Sequence, residues 1–235
     1  MLSDLIRRFE QALIFENRYM NYINGLKITL ILAFFSILLG VIIGIIVASA
    51  KVGIENKRKH TMLDKIIIKI CDIYITVIRG TPVVVQLMVF SGLIFTSRNT
   101  NEVFVGIICF GINSGAYVAE IIRAGITSVD RGQMEAGRSL GLSTVTTMRY
   151  IILPQAVKNI LPALGNEFIV LIKETAIVSF IGVTDLFQGA QYISTRTYDI
   201  LPPMIIAASI YLILVLALSK ALKAFERRLA RSDNR

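Results

Sequence analysis

The sequence predicts an all-α membrane protein with about five transmembrane helices, the N-terminus outside the cell and the C-terminus in the cytoplasm. Two observations lead to this prediction: the apolar residues form long blocks, and the basic residues between the blocks are unevenly distributed. Hydrophobic residues make up 54% of the 235-residue chain and charged residues only 17%. About a quarter of the residues are charged in an average soluble domain, so apolar surface on this scale indicates a lipid environment.

Residues 1–22 precede the first apolar block and predict an amphipathic helix that lies along the membrane interface. Apolar residues recur there at helical spacing, and charged side chains interrupt them. The interruptions also argue against a cleavable signal peptide, which needs an unbroken apolar region. The apolar face consists of Leu2, Leu5, Ile6, Phe9, Ala12 and Leu13.

Each apolar block is long enough for a membrane-spanning helix, which needs roughly 20 apolar residues to cross about 30 Å of hydrocarbon. The first block includes Gly25–Ala50, whose single charge, Lys27, lies at its edge. The five blocks are 23–50, 66–96, 103–124, 159–181 and 201–222. Together they predict one membrane domain, 23–222, followed by a basic cytoplasmic tail, 223–235.

The basic residues lie almost entirely in alternate loops. The residues 51–65 after the first block, the loop between the third and fourth blocks, and the C-terminal segment are rich in Lys and Arg, whereas the other two loops hold only Arg98 and Arg196. Basic loops stay in the cytoplasm, which orients the predicted spans. The basic excess is therefore a topology signal and does not indicate a nucleic-acid partner.

The basic loop at residues 132–154 predicts two short helices joined at a glycine. The first helix, Gly132–Leu140, can end at Gly141, which accepts a left-handed conformation. Ser143 is a suitable N-cap for the second helix, Thr144–Leu153, and Pro154 predicts its bend or end. Such a rigid knob with exposed apolar residues usually meets a partner protein. The alternative is an amphipathic helix resting on the lipid surface.

The same loop resembles the permease subunits of ABC-type importers. Their cytoplasmic loop reads E-A-A, three residues, G, nine residues, I-x-L-P, and this chain has Glu135-Ala136-Gly137, Gly141 and Ile151–Pro154 at the same spacing. The segments Asn113–Ser143, Arg79–Leu87 and Gly165–Gly182 resemble the polar amino acid branch of that family. The resemblance implies a coupling loop that docks on the ATP-hydrolysing subunit. Its residues are Glu135, Ala136, Gly137, Gly141, Leu142, Ile151, Leu153 and Pro154.

The resemblance also implies a set of partners and a location in the inner membrane. It predicts an ATP-binding cassette subunit that holds ATP and Mg, a second permease subunit that is identical or closely related, membrane lipid, and an extracytoplasmic amino acid-binding protein. The chain has no phosphate-binding G-x-x-x-x-G-K-[ST] stretch, no metal-ligand cluster and no catalytic constellation. We therefore expect a transport subunit rather than an enzyme. The alternative is a secondary transporter or channel driven by an ion gradient.

Polar residues inside the apolar blocks are candidates for a substrate pathway, because polar groups at membrane depth are costly. Helical spacing places Asn113, Tyr117 and Glu120 of the third block near one face, but Glu120 and Arg123 alternatively form an ion pair with each other. Glu167 in the fourth block either contacts the ligand or pairs with a basic residue, and the two carboxylates favour a polar or basic amino acid. The full candidate set is Asn113, Ser114, Tyr117, Glu120, Asn166 and Glu167.

The second block is interrupted by Arg79, Gly80, Thr81 and Pro82. Pro82 disfavours helix at Thr81 and Gly80 adds backbone freedom, so the sequence predicts a bend. The bend is either a hinge of the pathway or a fixed kink that shapes packing. Residues 182–200 are expected to form an outer loop that faces the delivery protein.

Overall fold

The computed structural model describes residues 2–55, 57, 59–94 and 100–231, and every regular element in these ranges is helical. The short helices are 3₁₀ turns at Phe15–Asn17 and Thr175–Ile181 and a π-helical turn at Met148–Ile152. The α-helices are α1 (Leu2–Leu13), α2 (Tyr19–Glu55), α3 (Met62–Gly80), α4 (Val83–Ile94), α5 (Glu102–Thr127), α6 (Arg131–Ser139), α7 (Thr144–Thr147), α8 (Leu153–Glu174), α9 (Leu186–Thr197) and α10 (Leu201–Arg231).

Three helices among the described residues are long and apolar enough to cross a membrane, or four if α3 and α4 count as one broken span. They are Phe15–Glu55, Glu102–Thr127 and Leu201–Leu229, which correspond to the first, third and fifth predicted blocks. The fourth block lies on α8 and the following 3₁₀ turn, which do not combine the length and the apolar composition of a membrane span. Charged residues such as Lys158, Glu167 and Lys173 dilute the apolar character of α8.

The chain divides into two compact units. The first consists of Met1–Ser36, Pro82–Phe110 and Phe168–Lys220, and the second of Ile37–Thr81, Gly111–Glu167 and Ala221–Arg235. The predicted boundaries at residues 22 and 222 remain predictions, although α10 continues beyond residue 222. Most of the predicted functional residues belong to the second unit.

In the first unit, the start of α9 is held by a buried polar network. Asp185 accepts hydrogen bonds from the backbone N–H groups of Phe187 and Gln188 and thereby caps the helix. The Tyr211 hydroxyl donates to the same carboxylate at 3.1 Å, and the Leu186 N–H donates to Thr29 Oγ1 at 3.2 Å. The burial of Asp185 raises the pKa of its carboxyl above the ordinary value. The network ties α9 to α2 and α10.

Helix α1 forms only the first part of the predicted amphipathic segment 1–22, because residues from Tyr19 onward belong to α2. An ion pair attaches α1 to the rest of the first unit. Arg8 donates from Nε and Nη2 to the two carboxylate oxygens of Asp199, at 2.6 and 2.8 Å. Ala12 is buried near Tyr22, whose hydroxyl donates to the Ala12 carbonyl oxygen, whereas Leu5 and Ile6 are exposed. One face of α1 therefore packs on the protein, and the other remains apolar and uncovered in this chain.

We predict that the packing of α1 depends on pH and on Arg8. The hydrogen bonds from Arg8 lower the pKa of Asp199 below its ordinary value of 3.8. The ion pair therefore stabilises the packing above that value, and its contribution disappears as the pH falls through the lowered pKa. An Arg8→Gln variant should show faster amide exchange in residues 2–13 at pH 7, when rates are corrected for intrinsic exchange. Arg7→Gln is the control, and equal exchange in both variants would contradict the anchoring role.

Candidate functional site

The loop 132–154 begins with a helix that is capped at both ends. Asp130 accepts a hydrogen bond from the Gly132 N–H at 2.7 Å at the start of α6. At its end, the N–H groups of Gly141 and Leu142 donate to the carbonyls of Arg138 and Gly137, which is a Schellman motif. Gly141 has φ 83°, the left-handed conformation that the sequence predicted for it. The glycine joint of the loop is therefore confirmed.

The second helix of the loop begins at the predicted N-cap, Ser143, but does not end at Pro154. Ser143 Oγ accepts a hydrogen bond from the Thr146 N–H at 3.1 Å, and α7 then continues through the π-helical turn into α8. Pro154 lies in the first turn of α8. A proline lacks an N–H and its ring displaces the carbonyl four residues before it, and a π turn is a common way to absorb such a disruption. The helix therefore continues past Pro154.

The two helices of the loop meet at Gly137, where the family pattern has alanine. A Cβ atom added to Gly137 would lie 2.5 Å from Cγ2 of Thr147, which is shorter than any real contact. Thr147 is fully buried, and its hydroxyl donates to the Ser143 carbonyl at 3.0 Å. The close approach of α6 and α7 therefore favours glycine over alanine here, a reason that the sequence alone did not reveal.

The exposed tip of the loop is apolar. Leu140 is 81% exposed and Val145 is 76% exposed, although Leu140 directly precedes the glycine joint. Among the predicted coupling residues, Glu135, Ala136, Gly141, Leu153 and Pro154 are exposed, whereas Gly137 is buried and Leu142 and Ile151 are partly buried. The loop therefore presents a rigid apolar surface, which we call the loop tip, formed by Ala136, Leu140 and Val145.

Two of the predicted pathway residues are brought together by hydrogen bonding. Ser114 on α5 donates from Oγ to Glu167 Oε1 on α8 at 2.9 Å. Ser114 is fully buried and Glu167 is partly buried. Asn113 is also buried, while Asn166 is exposed. The buried polar patch next to the carboxylate of the fourth block thus consists of Asn113 and Ser114, whereas Tyr117 of the predicted face is exposed.

A charged cluster lies further along α5. Arg123 donates from Nε and Nη2 to the Glu120 carboxylate at 3.1 and 2.8 Å, so the expected pair between these residues is present. Arg79 at the end of α3 approaches Glu120 at 3.6 Å, and its guanidinium lies 5.2 Å from the centre of the Tyr117 ring. The sequence assigned Arg79 only to a bend, because contacts so distant in sequence leave no local signal.

The predicted bend at 79–82 is confirmed as a break between helices. Helix α3 ends at Gly80, and Thr81 has the extended conformation, φ −121° and ψ 147°. Its hydroxyl donates back to the Val77 carbonyl at 2.8 Å. The residue before a proline is expected to be extended, because the proline ring clashes with a helical neighbour. Whether the break moves during function stays a prediction.

Comparison with known proteins identifies the family. The model of binding-protein-dependent transport system inner membrane components matches residues 40–231. The chain belongs to this family. The permease is 40% identical over 223 residues to a putative glutamine transport system permease protein of Rickettsia bellii, an alignment that covers 94% of this chain and 98% of that relative. It is 41% identical over 213 residues to an arginine transport system permease protein of Bacillus subtilis, covering 90% and 93%.

Solved structures agree with this assignment. A crystal structure of an amino acid ABC transporter with histidines is 48% identical to the permease, with a TM-score of 0.81 over 89% of this chain and 94% of that one. An inward-facing methionine ABC transporter is 17% identical, with a TM-score of 0.76 over 92% and 99%, and supports the fold alone. The resemblance to ABC permeases is confirmed. The permease is a multi-pass inner membrane protein and a transport subunit, not an enzyme.

We predict that Gly137→Ala destabilises the loop through the contact with Thr147. The added methyl group overpacks a buried site, which typically costs about 1–3 kcal/mol. In the Gly137→Ala/Thr147→Ala double variant the clash with Cγ2 and Oγ1 is removed, so the helix-forming preference of alanine remains as a gain. Thermal unfolding of the detergent-solubilised protein measures the stability of the single and of the double variant. A single variant as stable as the original chain would contradict the close approach of α6 and α7.

Proposed function

We propose that the permease forms the translocation pathway of an ATP-driven importer for a polar or basic amino acid. The observation that carries this proposal is the hydrogen bond between Ser114 and Glu167. A carboxylate on a helix of a membrane protein is costly and is by default a functional site. Here the carboxylate also meets a buried hydroxyl group, so the two residues offer a polar surface within predominantly apolar helices.

The chemistry of a carboxylate at this position fits an amino acid substrate. A substrate ammonium has three N–H donors, and its hydrogen bonds to a carboxylate are charge-assisted and stronger than neutral ones. The relatives named above are a putative glutamine transport system permease and an arginine transport system permease, and both amino acids carry an α-ammonium group. We assign Glu167 to this group. Arginine can alternatively contact Glu167 through its guanidinium, and uptake kinetics with glutamine and arginine distinguish the two contacts.

Arg79 is suited to the opposite pole of the same substrate. Tyr117 follows Ser114 by three residues, which corresponds to about 4.5 Å along the helix axis. Arg79 stacks near the Tyr117 ring, and a guanidinium presents donors in a fork that matches a carboxylate. The α-ammonium and α-carboxylate of an amino acid lie on one carbon atom. The spacing between Ser114 and Tyr117 therefore allows one substrate to contact Glu167 with its ammonium and Arg79 with its carboxylate. We assign Arg79 and Tyr117 to the carboxylate side of the pathway.

The loop tip supports the proposed coupling to a separate ATP-hydrolysing subunit, which would hold ATP and Mg. Exposed apolar residues on a capped, glycine-jointed pair of helices are expensive unless a partner covers them. We further propose a second permease subunit, identical or closely related, and an extracytoplasmic binding protein that faces residues 182–200. There, Arg196 stacks over Tyr192 at 4.9 Å, and the buried network of Asp185 holds the start of the helix.

We predict that Glu167→Gln weakens uptake of amino acids without loss of assembly. Loss of a hydrogen bond to a charged group costs about 1.5–3 kcal/mol, which corresponds to roughly a 10- to 100-fold increase in KM. The measurement is ATP-dependent uptake of L-glutamine and L-arginine by proteoliposomes that contain the complex purified from its native membrane. An increase in KM for both substrates indicates that Glu167 contacts the α-ammonium. An increase in KM for arginine alone indicates that it contacts the guanidinium.

The control for this variant is Asp72→Asn, which removes the same negative charge outside the proposed pathway. Asp72 forms an ion pair with Lys51 at 2.6 Å. The control variant should leave KM within about twofold of the original value. Equal KM values for Glu167→Gln and the original chain would contradict the ligand role. Uptake that stops with an ionophore and continues without ATP would contradict the importer itself.

We predict that charge at the loop tip releases the ATP-hydrolysing subunit. Leu140→Glu and Val145→Glu place a carboxylate on an apolar contact, and burial of an unpaired charge in a protein interface is strongly unfavourable. Co-purification with the tagged permease should fall at least tenfold, an energy of about 1.4 kcal/mol or more. Gln133→Glu adds the same charge to α6 away from the tip and should retain the subunit. Retention by all three variants would place the docking site elsewhere.

A further inference from the structure

Two cavities of the second unit adjoin each other and differ in chemistry. The first, about 590 Å³, lies between α2, α5 and α8 and is lined almost entirely by apolar side chains, among them Val41, Ile45, Ile122 and Val157. The second, about 300 Å³, is lined by both apolar and charged side chains, and the charged ones include Glu55, Asp130 and Arg131. Val52, Ile126 and Met148 line both cavities, so the cavities adjoin, and we treat them as one site with an apolar and a charged end.

The polarity of this site follows the helices that form it. The apolar cavity runs along the membrane helices α2 and α5, and the charged cavity lies where those helices end, at Glu55 and Thr127, and the loop with α6 begins. An elongated amphiphile with its chain toward the membrane interior and its headgroup toward the loop matches this order. The larger cavity also lies within the range of about 300–1,000 Å³ that is usual for small-molecule sites.

We propose that this site binds one phospholipid with a zwitterionic amine headgroup, with an acyl chain in the apolar cavity and the phosphoethanolamine in the charged cavity. The charged end carries both signs, which favours a zwitterionic headgroup over an anionic one. The Arg131 guanidinium suits the phosphate, and the Glu55 carboxylate suits the ammonium. Arg123 also lines this cavity, but its guanidinium is held by Glu120.

Such a lipid would pack against the coupling loop from the membrane side. Met134 of α6 and Met148 of the π-helical turn both line the charged cavity. Methionine side chains adapt their shape to irregular apolar surfaces, so both can pack against the glycerol region. The lipid would thus support the base of the loop whose tip is proposed to dock on the ATP-hydrolysing subunit. This inference does not require that the transported substrate be an amino acid.

The glycines of the chain provide a matched pair of variants for testing the site. A Cβ atom added to Gly53 or to Gly92 would meet no heavy atom within 4 Å, so both positions tolerate a larger side chain. Gly53 lines the apolar cavity, whereas Gly92 lies on α4 in the first unit. Gly53→Phe therefore fills the proposed chain site, and Gly92→Phe makes the same change elsewhere.

The experiment is native mass spectrometry of the complex, purified in detergent and re-equilibrated with mixed micelles of phosphatidylethanolamine or of phosphatidylglycerol. We expect one phosphatidylethanolamine bound per permease chain, a loss of at least fivefold in Gly53→Phe, and no loss in Gly92→Phe. Arg131→Gln leaves the apolar cavity unchanged and should still weaken the binding of phosphatidylethanolamine.

Three results would overturn the proposal. Equal retention of phosphatidylethanolamine by Gly53→Phe and Gly92→Phe would show that the lipid lies elsewhere. Retention of phosphatidylglycerol in place of phosphatidylethanolamine would contradict the zwitterionic headgroup. A disulfide formed between two permease chains by Val157→Cys, with no lipid retained by the original chain, would show that a second copy covers the cavity.

Discussion

The close packing of α2 against α5 in the second unit is the constraint on which the proposed pathway depends. A Cβ atom on Gly40 would lie 2.9 Å from the Ser114 side chain, and one on Gly44 would overlap Val118. Membrane helices associate through small residues of this kind, because lipid gives no hydrophobic force between helices. The contact fixes the rotation of α5, and the Tyr74 hydroxyl secures it further by donating to the Ile112 carbonyl at 2.6 Å. With α5 in this rotation, Ser114 faces Glu167.

The proposed pathway and the coupling loop are connected through continuous helix. From Thr144 the chain stays helical through the π turn to Glu174. Val145 at the loop tip and Glu167 are therefore joined by continuous helical backbone. Their separation of 22 residues corresponds to about 33 Å along a helix axis. Displacement of the tip by a docked partner would therefore reach Glu167 without passing through a flexible linker. The Schellman motif and the contact between Gly137 and Thr147 keep the tip rigid at the other end.

The sequence predicted well those features that local chemistry determines. Gly141, Ser143 and the break at Thr81-Pro82 depend on residues within one or two turns, and all three were predicted correctly. The apolar blocks likewise identified the long helices, because burial in lipid needs only length and composition. The fourth block was less clear, since α8 mixes apolar residues with Lys158, Glu167 and Lys173 for reasons that depend on its neighbours. The preference for glycine over alanine at Gly137 and the position of Arg79 beside Tyr117 depend on tertiary contacts, which no local pattern records.

A structure of the complex with substrate tests most directly whether Ser114 and Glu167 hold the ammonium group of a transported amino acid. Cryo-electron microscopy of the permease with its ATP-hydrolysing partner and saturating L-glutamine or L-arginine would give this structure. We predict density for an amino acid with a nitrogen within about 3 Å of Glu167, the length of a charge-assisted hydrogen bond. Amino acid density that contacts neither Ser114 nor Glu167 would contradict this role of the two residues.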